Sequence, residues 1–306
     1  MSAVVDRILK KVGDRELINK LLALPKSELN SLLLELFNGL TDSISPADVL
    51  KAYQINRFPA PSDADPTKFY SLEAELIKAA REQGIKSVIL SPSAPLGSCS
   101  AFGCVNQYNV LSAVRGTETL SDPSNMLAVI IADKLKNEDT DNRIPLHYAT
   151  TARVVRGQAF SEKGFYAHFG LFCIVSSGKD VGSYTCEKNM LIKQLAYYKK
   201  LFLEKYRADI SIVVQKRGGY TDGDGFFAGI AELIEIGLPD IPVSMAPADE
   251  ENHYYKGLNF KIYMEKNSDK IEIGDGGYVD WISQMTGNKK ERCLISGLGL
   301  DRLLLF

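Results

Sequence analysis

Three prolines fall within nine positions in Phe58-Pro59-Ala60-Pro61-Ser62-Asp63-Ala64-Asp65-Pro66, and this run constrains the fold more than any other feature. Each proline fixes φ and lacks a backbone donor, and the small and acidic residues between them favour turns. Neither helix nor sheet propagates through such a run. It predicts a boundary, with a helical appendage over 1–56, a linker over 57–67 and a main body over 68–306. In the first segment Leu29, Leu32, Leu33, Leu36 and Phe37 line one face of a helix between the cap residue Ser27 and Gly39. An upstream helix is expected from Glu16 to Leu24. Ser45 before Pro46 starts another that continues to Gln54, because proline is tolerated in the first helical turn. The expectation is a small N-terminal helical domain of three or four helices.

In the main body the signals alternate. A helix over Ser71–Gln83 ends at Gly84, and a short apolar strand, Ser87–Leu90, is stopped by Pro92. After a loop rich in Gly, Ser and Cys, a helix over Pro123–Lys136 turns Met126, Leu127, Ile130 and Ile131 inward. Strands over Leu146–Val155 and Tyr166–Val175 flank a polar loop, Arg156–Gly164. A long helix, Glu187–Tyr206, precedes the strand Ile210–Val214 and a helix over Phe226–Ile236. Strands near Leu258–Met264, Lys270–Ile273 and Cys293–Gly297 complete the chain. Strands clustered in hairpins with helices inserted between them predict an α+β fold, a largely antiparallel sheet flanked by helices.

Charge and composition exclude several classes. The 36 Lys+Arg against 38 Asp+Glu leave a net charge of −2, with no block of five like charges, so there is no bulk attraction to nucleic acid or anionic membrane. No apolar run reaches the roughly 18 residues of a membrane span, and the first residues mix Lys and Asp with apolar positions. A cytoplasmic protein is expected. Five scattered cysteines predict reduced thiols, and the close pair Cys99 and Cys104 lacks the second half of a zinc site. Asp222-Gly223-Asp224-Gly225 fails as a calcium loop, because Phe226, Phe227 and Leu233 stand where a ligand, the turn glycine and the closing glutamate belong. His147, His168 and His253 are too dispersed for a metal site, and neither a Walker lysine nor a Gly-x-Ser-x-Gly elbow occurs. No metal-ligating residues are assigned.

The end of the chain carries more information. Asp275-Gly276-Gly277-Tyr278-Val279-Asp280-Trp281 is followed by Gly297-Leu298-Gly299-Leu300-Asp301-Arg302-Leu303. Glycines on a strand let a ligand lie against the backbone, and an arginine at the strand-to-helix junction reaches a phosphate. Together with the order of the other segments, these runs resemble the catalytic core of class II aminoacyl-tRNA synthetases, in particular the histidyl branch and its regulatory paralogue in histidine biosynthesis. The Gly-x-Gly-x-Asp-Arg-Leu run resembles motif 3. Ala152-Arg153-Val154-Val155-Arg156, with Phe165-Tyr166-Ala167-His168-Phe169-Gly170 beyond the loop, resembles motif 2. The helix to Gly84 with the strand to Leu90 resembles motif 1, and Tyr255–Phe260 and Gly276–Asp280 resemble the two amino-acid-recognition segments. The resemblance spans Phe69 to Phe306. It implies an ATP·Mg²⁺ site in which Arg302 holds the γ-phosphate and Arg153 the α-phosphate, completed by Arg156, His168 and Gly299. It further implies substrate contacts from Lys256, Asn259 and Tyr278, and a homodimer through motif 1. Glu118 and Asp122 lie near where the family places an acid that grips the substrate amino group. Asp122 reads equally as a helix cap.

Departures from the family limit what carries over. Val155 replaces the motif 2 glutamate that holds the adenine amino group and accepts no hydrogen bond. Lys256, Asn259, Phe260 and Lys261, then Tyr278 and Val279, stand in place of the family's recognition residues, and His168 and Phe172 in place of a glutamine and a glutamate. A buried imidazole would lose its polar partners, so recognition of histidine is not expected. The sequence runs four residues beyond Arg302, with no room for an anticodon-binding module, so cognate tRNA is not expected as a substrate. Two functions follow from the resemblance. One is ATP-dependent adenylation of a small carboxylate, an amino acid other than histidine. The other is a non-catalytic paralogue acting as a regulatory or metabolite-binding subunit of a protein partner.

Overall fold

A computed structural model describes residues 2–305 apart from 139–140, 159–165, 250, 252 and 267–268, so most of the expected polar loop after Arg156 lies outside the described residues. The chain runs α1 (Ala3–Val12), α2 (Leu17–Leu22), α3 (Lys26–Thr41), α4 (Pro46–Ile55), α5 (Pro66–Glu82), β1 (Lys86–Ser87), β2 (Ser93–Pro95), β3 (Thr117–Thr119), α6 (Pro123–Asn137), β4 (Leu146–Val155), β5 (His168–Lys179), α7 (Thr185–Tyr206), β6 (Asp209–Lys216), α8 (Gly223–Gly237), β7 (Val243–Ala246), β8 (Lys256–Lys266), β9 (Asp269–Val279), α9 (Trp281–Thr286), β10 (Glu291–Gly299) and α10 (Leu300–Leu303). Eight strands form one sheet in the order β1-β4-β5-β10-β9-β8-β6-β7, while β2 and β3 pair separately. The pairs β1–β4 and β6–β7 at the two edges are parallel, and the six strands from β4 to β6 are antiparallel neighbours.

Successive strand residues face opposite sides of this sheet. On one side Phe172 and Ile174 of β5 join Leu72 and Leu76 of α5, Met190, Leu191 and Leu195 of α7, and Ile230 and Ile234 of α8. On the other, Cys173 and Val175 pack with Leu127 and Ile131 of α6 and with Trp281 and Ile282 of α9. α7 is additionally tied to the sheet by a directed chain of hydrogen bonds. The Tyr198 hydroxyl donates to Ser296 Oγ at 2.6 Å, and Ser296 to Gln194 Oε1 at 2.6 Å. The Gln194 amide donates to Ser176 Oγ at 2.7 Å, which leaves the Ser176 proton for His147 Nδ1, also at 2.7 Å. A neutral imidazole completes that chain; a protonated one would set N–H against O–H.

Several boundaries differ from the sequence expectation for local reasons. α5 begins at Pro66, about a turn earlier than expected, because Asp65 accepts from the Thr67 and Lys68 amides and the proline needs no partner in the first turn. β1 contains two residues, and β7, which no apolar run announces, pairs with β6 after the α8 crossover. β9 continues through Gly274, Gly276 and Gly277 to Val279. α1 buries Leu9, whereas α2, α3 and α4 bury no residue; Leu32, Leu36 and Phe37 on the expected inward stripe of α3 are exposed. The proline-rich segment is pinned to the sheet, with Ala60 O accepting from His168 Nε2 at 2.5 Å and Asp63 from the Tyr166 hydroxyl.

Burial, with Lys193 close by, pushes the His147 imidazole from its ordinary 6.5 down to about 4. The folded state therefore binds fewer protons than the unfolded chain between those values. The stability held above pH 6.5 is expected to fall with pH, by up to roughly 3 kcal/mol on reaching pH 4. Thermal melts of wild type and His147→Gln from pH 7 to pH 4.5 measure this: the variant should lose less stability across that range, and parallel curves would contradict the assignment.

Candidate functional site

The central strands end in a cavity of about 730 Å³ on the face that carries α6. Its floor is backbone. Gly297 of β10 opposes Asp275 of β9 and Cys173 of β5, and Leu298 opposes Gly274. A Cβ on Gly297 would come within 3.3 Å of both Cys173 Sγ and Phe172 O, and one on Gly274 would overlap the Gly297 carbonyl. Walls come from Asp122 and Ser124 at the start of α6, Arg156 just past β4, Phe169 and Leu171 of β5, and Tyr254 and Tyr255 before β8. Asp301 and Arg302 of α10 close one end, so bare backbone and charge meet where β10 turns into helix.

The structure divides the sequence-derived residues. Arg156, Gly299 and Arg302 line the cavity together with Asp122. The Arg156 guanidinium donates to Ser121 O at 3.0 Å, lies 4.0 Å from the Asp122 carboxylate and stacks 5.1 Å from the Phe169 ring centre. Asp122 Oδ1 also caps α6 by accepting from the Ser124 amide at 2.9 Å. Arg302 is exposed and donates to the Glu272 carbonyl at 2.7 Å. Arg153 sits on the opposite face of β4. Its strand partner is Gly170, where the Phe69 ring occupies the space a Cβ would take, and the guanidinium lies 5.1 Å from that ring. Arg153 donates to His168 Nδ1 at 2.7 Å and reaches Asp301 at 3.5 Å. It lines a separate depression of about 720 Å³ with Glu73, whose carboxyl burial raises above its usual range.

The remaining candidates lie away from the cavity. Tyr278 is buried and donates to Glu187 O at 2.8 Å, and Asn259 is buried and accepts from Arg217 Nε at 2.7 Å. Lys256 pairs with Asp280 at 3.6 Å. Glu118 is fully buried and accepts from the Gly97 amide at 2.8 Å, the Cys99 amide at 3.3 Å and Gln107 Nε2 at 2.9 Å, so it organises the 97–107 loop. The sequence reading assigns no site role to several residues that also line the cavity, among them Glu272, Asp275, Tyr254 and Tyr255. Asp275 stands directly before the glycine pair, which is the one signal that pointed at it. Among the described residues no group of three or more His, Cys, Asp or Glu is arranged to hold a metal ion, and no helix is long and apolar enough to cross a membrane.

Neither protein-family profiles nor curated proteins match this sequence. Solved structures do match the fold. An ATP phosphoribosyltransferase regulatory subunit/histidyl-tRNA synthetase from Bacillus halodurans superposes with a TM-score of 0.60 at 12% identity, covering 81% of this chain and 83% of that one. Histidyl-tRNA synthetase from S. aureus, in its apo form, also gives 0.60 at 12% identity, over 82% of this chain and 69% of its own. The RNA binding domain of threonyl-tRNA synthetase from Cryptosporidium parvum gives 0.61 at 11% identity, over 77% and 62%. The mixed sheet flanked by helices is therefore the class II aminoacyl-tRNA synthetase-like fold. The histidyl-tRNA synthetase, the phosphoribosyltransferase regulatory subunit/histidyl-tRNA synthetase and the threonyl-tRNA synthetase structures all share this fold.

Glu118 supplies a test of its structural role. Glu118→Ala orphans two loop amides and the Gln107 side chain, and is expected to lower stability by about 2–4 kcal/mol. Denaturant unfolding checks this; an unchanged midpoint would return Glu118 to the ligand candidates.

Proposed function

We propose that the cavity binds ATP with Mg²⁺ and adenylates a small carboxylate, an amino acid other than histidine. The observation that supports this most directly is Arg302, which faces the glycine floor with its guanidinium meeting a backbone carbonyl and, among the described residues, no carboxylate. Such a group is available for a planar, charge-assisted grip on phosphate. Arg156 on the opposite wall supplies a second positive charge, and the strip along Gly297 and Gly299 admits a flat ligand against the backbone. These features support a nucleoside triphosphate as the ligand. Bound Mg²⁺ would offset its charge, held through phosphate oxygens, water and one or two carboxylates of the rim, Asp301 or Glu272. Opposed cations on a preorganised floor stabilise charge that develops on phosphorus as a carboxylate attacks. Arg153 enters as a positioning residue: it holds one oxygen of Asp301 while the Gly170 amide donates to the other at 2.6 Å, orienting the residue beside Arg302.

A second reading is a non-catalytic subunit that binds a metabolite and regulates a protein partner. Four carboxylates in the cavity, Asp122, Glu272, Asp275 and Asp301, outnumber two guanidinium groups and weaken its pull on a polyphosphate. We further assign pairing of two copies to the α5–β1 edge, where Tyr70 and Ile89 are exposed, and place the protein in the cytoplasm, in keeping with five cysteines outside any disulfide.

Calorimetry with ATP·Mg²⁺ is expected to show binding that weakens at least about tenfold in Arg302→Ala, with little change in melting temperature because the side chain is exposed. Pyrophosphate exchange across the amino acids separates the two readings. Nucleotide binding without exchange supports the regulatory subunit, and absence of nucleotide binding refutes the adenylation reading. Light scattering at micromolar concentration should report twice the chain mass; a monomer contradicts the assigned edge.

A further inference from the structure

α3 has little of its own to keep it helical. It spans 16 residues, neither end is capped by a side chain, and it buries none of its residues. Isolated helices become marginal in water near roughly 12–15 residues, and in proteins such a helix draws its stability from an apolar face packed on something else. Within this chain the packing is slight. The Asn30 side chain accepts from the Gly116 amide at 3.2 Å and tethers one side of α3, where Leu33 and Leu34 are half-buried. The rest of the apolar face is open: Leu36, Phe37 and Leu40 are 56%, 57% and 64% exposed.

The open stripe is its own complement. Leu29, Leu33, Leu36 and Leu40 follow at intervals of 4, 3 and 4, which is the a/d spacing of a helix–helix seam, and the intervals read the same from either end. A two-fold axis between positions 34 and 35 sets Leu29 level with Leu40 of a second copy, and Leu33 level with Leu36. Leu32 and Phe37, which flank the seam, exchange levels in the same way. Such a contact is isologous and closes on two copies. Charge agrees with the antiparallel sense. Lys26, in the first turn of one helix, comes level with Asp42 and the last carbonyls of the other, and the two helix dipoles oppose. Among the described residues neither Lys26 nor Asp42 has an ion-pair partner within the chain. A surface built for an unrelated partner has no need of this symmetry.

We infer that α3 pairs antiparallel with α3 of a second copy of this chain, which makes the N-terminal helices a dimerisation element. The seam is separate from the α5–β1 edge and independent of any ligand of the cavity. Ser62, Ala64 and Pro66, which lead from the helices into α5, border the depression at that edge, so one pair of copies meets at both places.

The test uses the full chain carrying Cys104→Ser, which removes the exposed thiol. Co-expressed Leu29→Cys and Leu40→Cys chains are expected to join as a disulfide-linked dimer on mild oxidation, because the seam sets the two positions opposite each other. Either variant alone is expected not to join, its like positions being separated along the seam by roughly 16 Å. Leu36→Glu places a charge in the seam at an exposed position. It is expected to keep the melting temperature and to weaken self-association, read by sedimentation, at least about tenfold. Asn38→Glu, on the opposite side of the helix, is expected to change neither. No crosslink between the mixed chains, a crosslink formed by Leu29→Cys alone, or an equal loss of association in Asn38→Glu would each overturn the pairing. Wild-type association in Leu36→Glu would overturn it too, and a lowered melting temperature in that variant would place the cover of the stripe within the chain. Dimers that become monomers in Leu36→Glu would support the helix pair and defeat the α5–β1 edge alone.

Discussion

The close approach of β9 and β10 is the contact on which the site depends. A Cβ at Gly276 would lie 2.5 Å from the Ile295 carbonyl, and one at Gly274 would overlap the carbonyl of Gly297. Only glycine permits the two strands this spacing at these positions. Gly274 and Gly276 allow that approach on the α7 side, while Gly297 and Gly299 leave bare backbone on the cavity side, beside β5, up to where β10 turns directly into α10. Arg302 reaches the strip because the helix begins immediately after Gly299. The same register places Asp275 opposite Gly297, so one strand pairing sets the floor, the cation and the anion of the cavity.

Parity along β4 decides which arginine serves the cavity. Side chains alternate across a sheet with a period of two, and Arg153 and Arg156 are three residues apart. Gly170 leaves room for Phe69 on the α5 side, and Arg153, paired with Gly170, shares that side. Arg153 is held there by His168, Asp301 and the Phe69 ring. Arg156 emerges past the end of the strand on the α6 side, stacked on Phe169. The two guanidinium groups therefore have separate tasks: Arg156 borders the cavity, while Arg153 fixes the acid next to Arg302.

Periodic elements were legible in the sequence. The strand Leu146–Val155 and the helix starting at Pro123 fall where alternation and capping place them, and the glycines before Arg302 marked the floor. What escaped depends on partners distant in the chain. β7 has four residues and acquires its meaning from β6. Glu118 looks like a ligand until the 97–107 loop brings three donors to it. The apolar stripe of α3 had the spacing of a packed face, yet Leu36 and Phe37 remain exposed in the single chain, because periodicity identifies the face without placing its cover in the same chain.

A crystal structure with a non-hydrolysable ATP analogue and Mg²⁺ tests the central claim most directly. The triphosphate is expected against Arg302, opposite Arg156, with the nucleotide lying over Gly297 and Gly299. Density for the analogue in the depression between Arg153 and Glu73, or an empty glycine floor at a saturating concentration of the analogue, would contradict it.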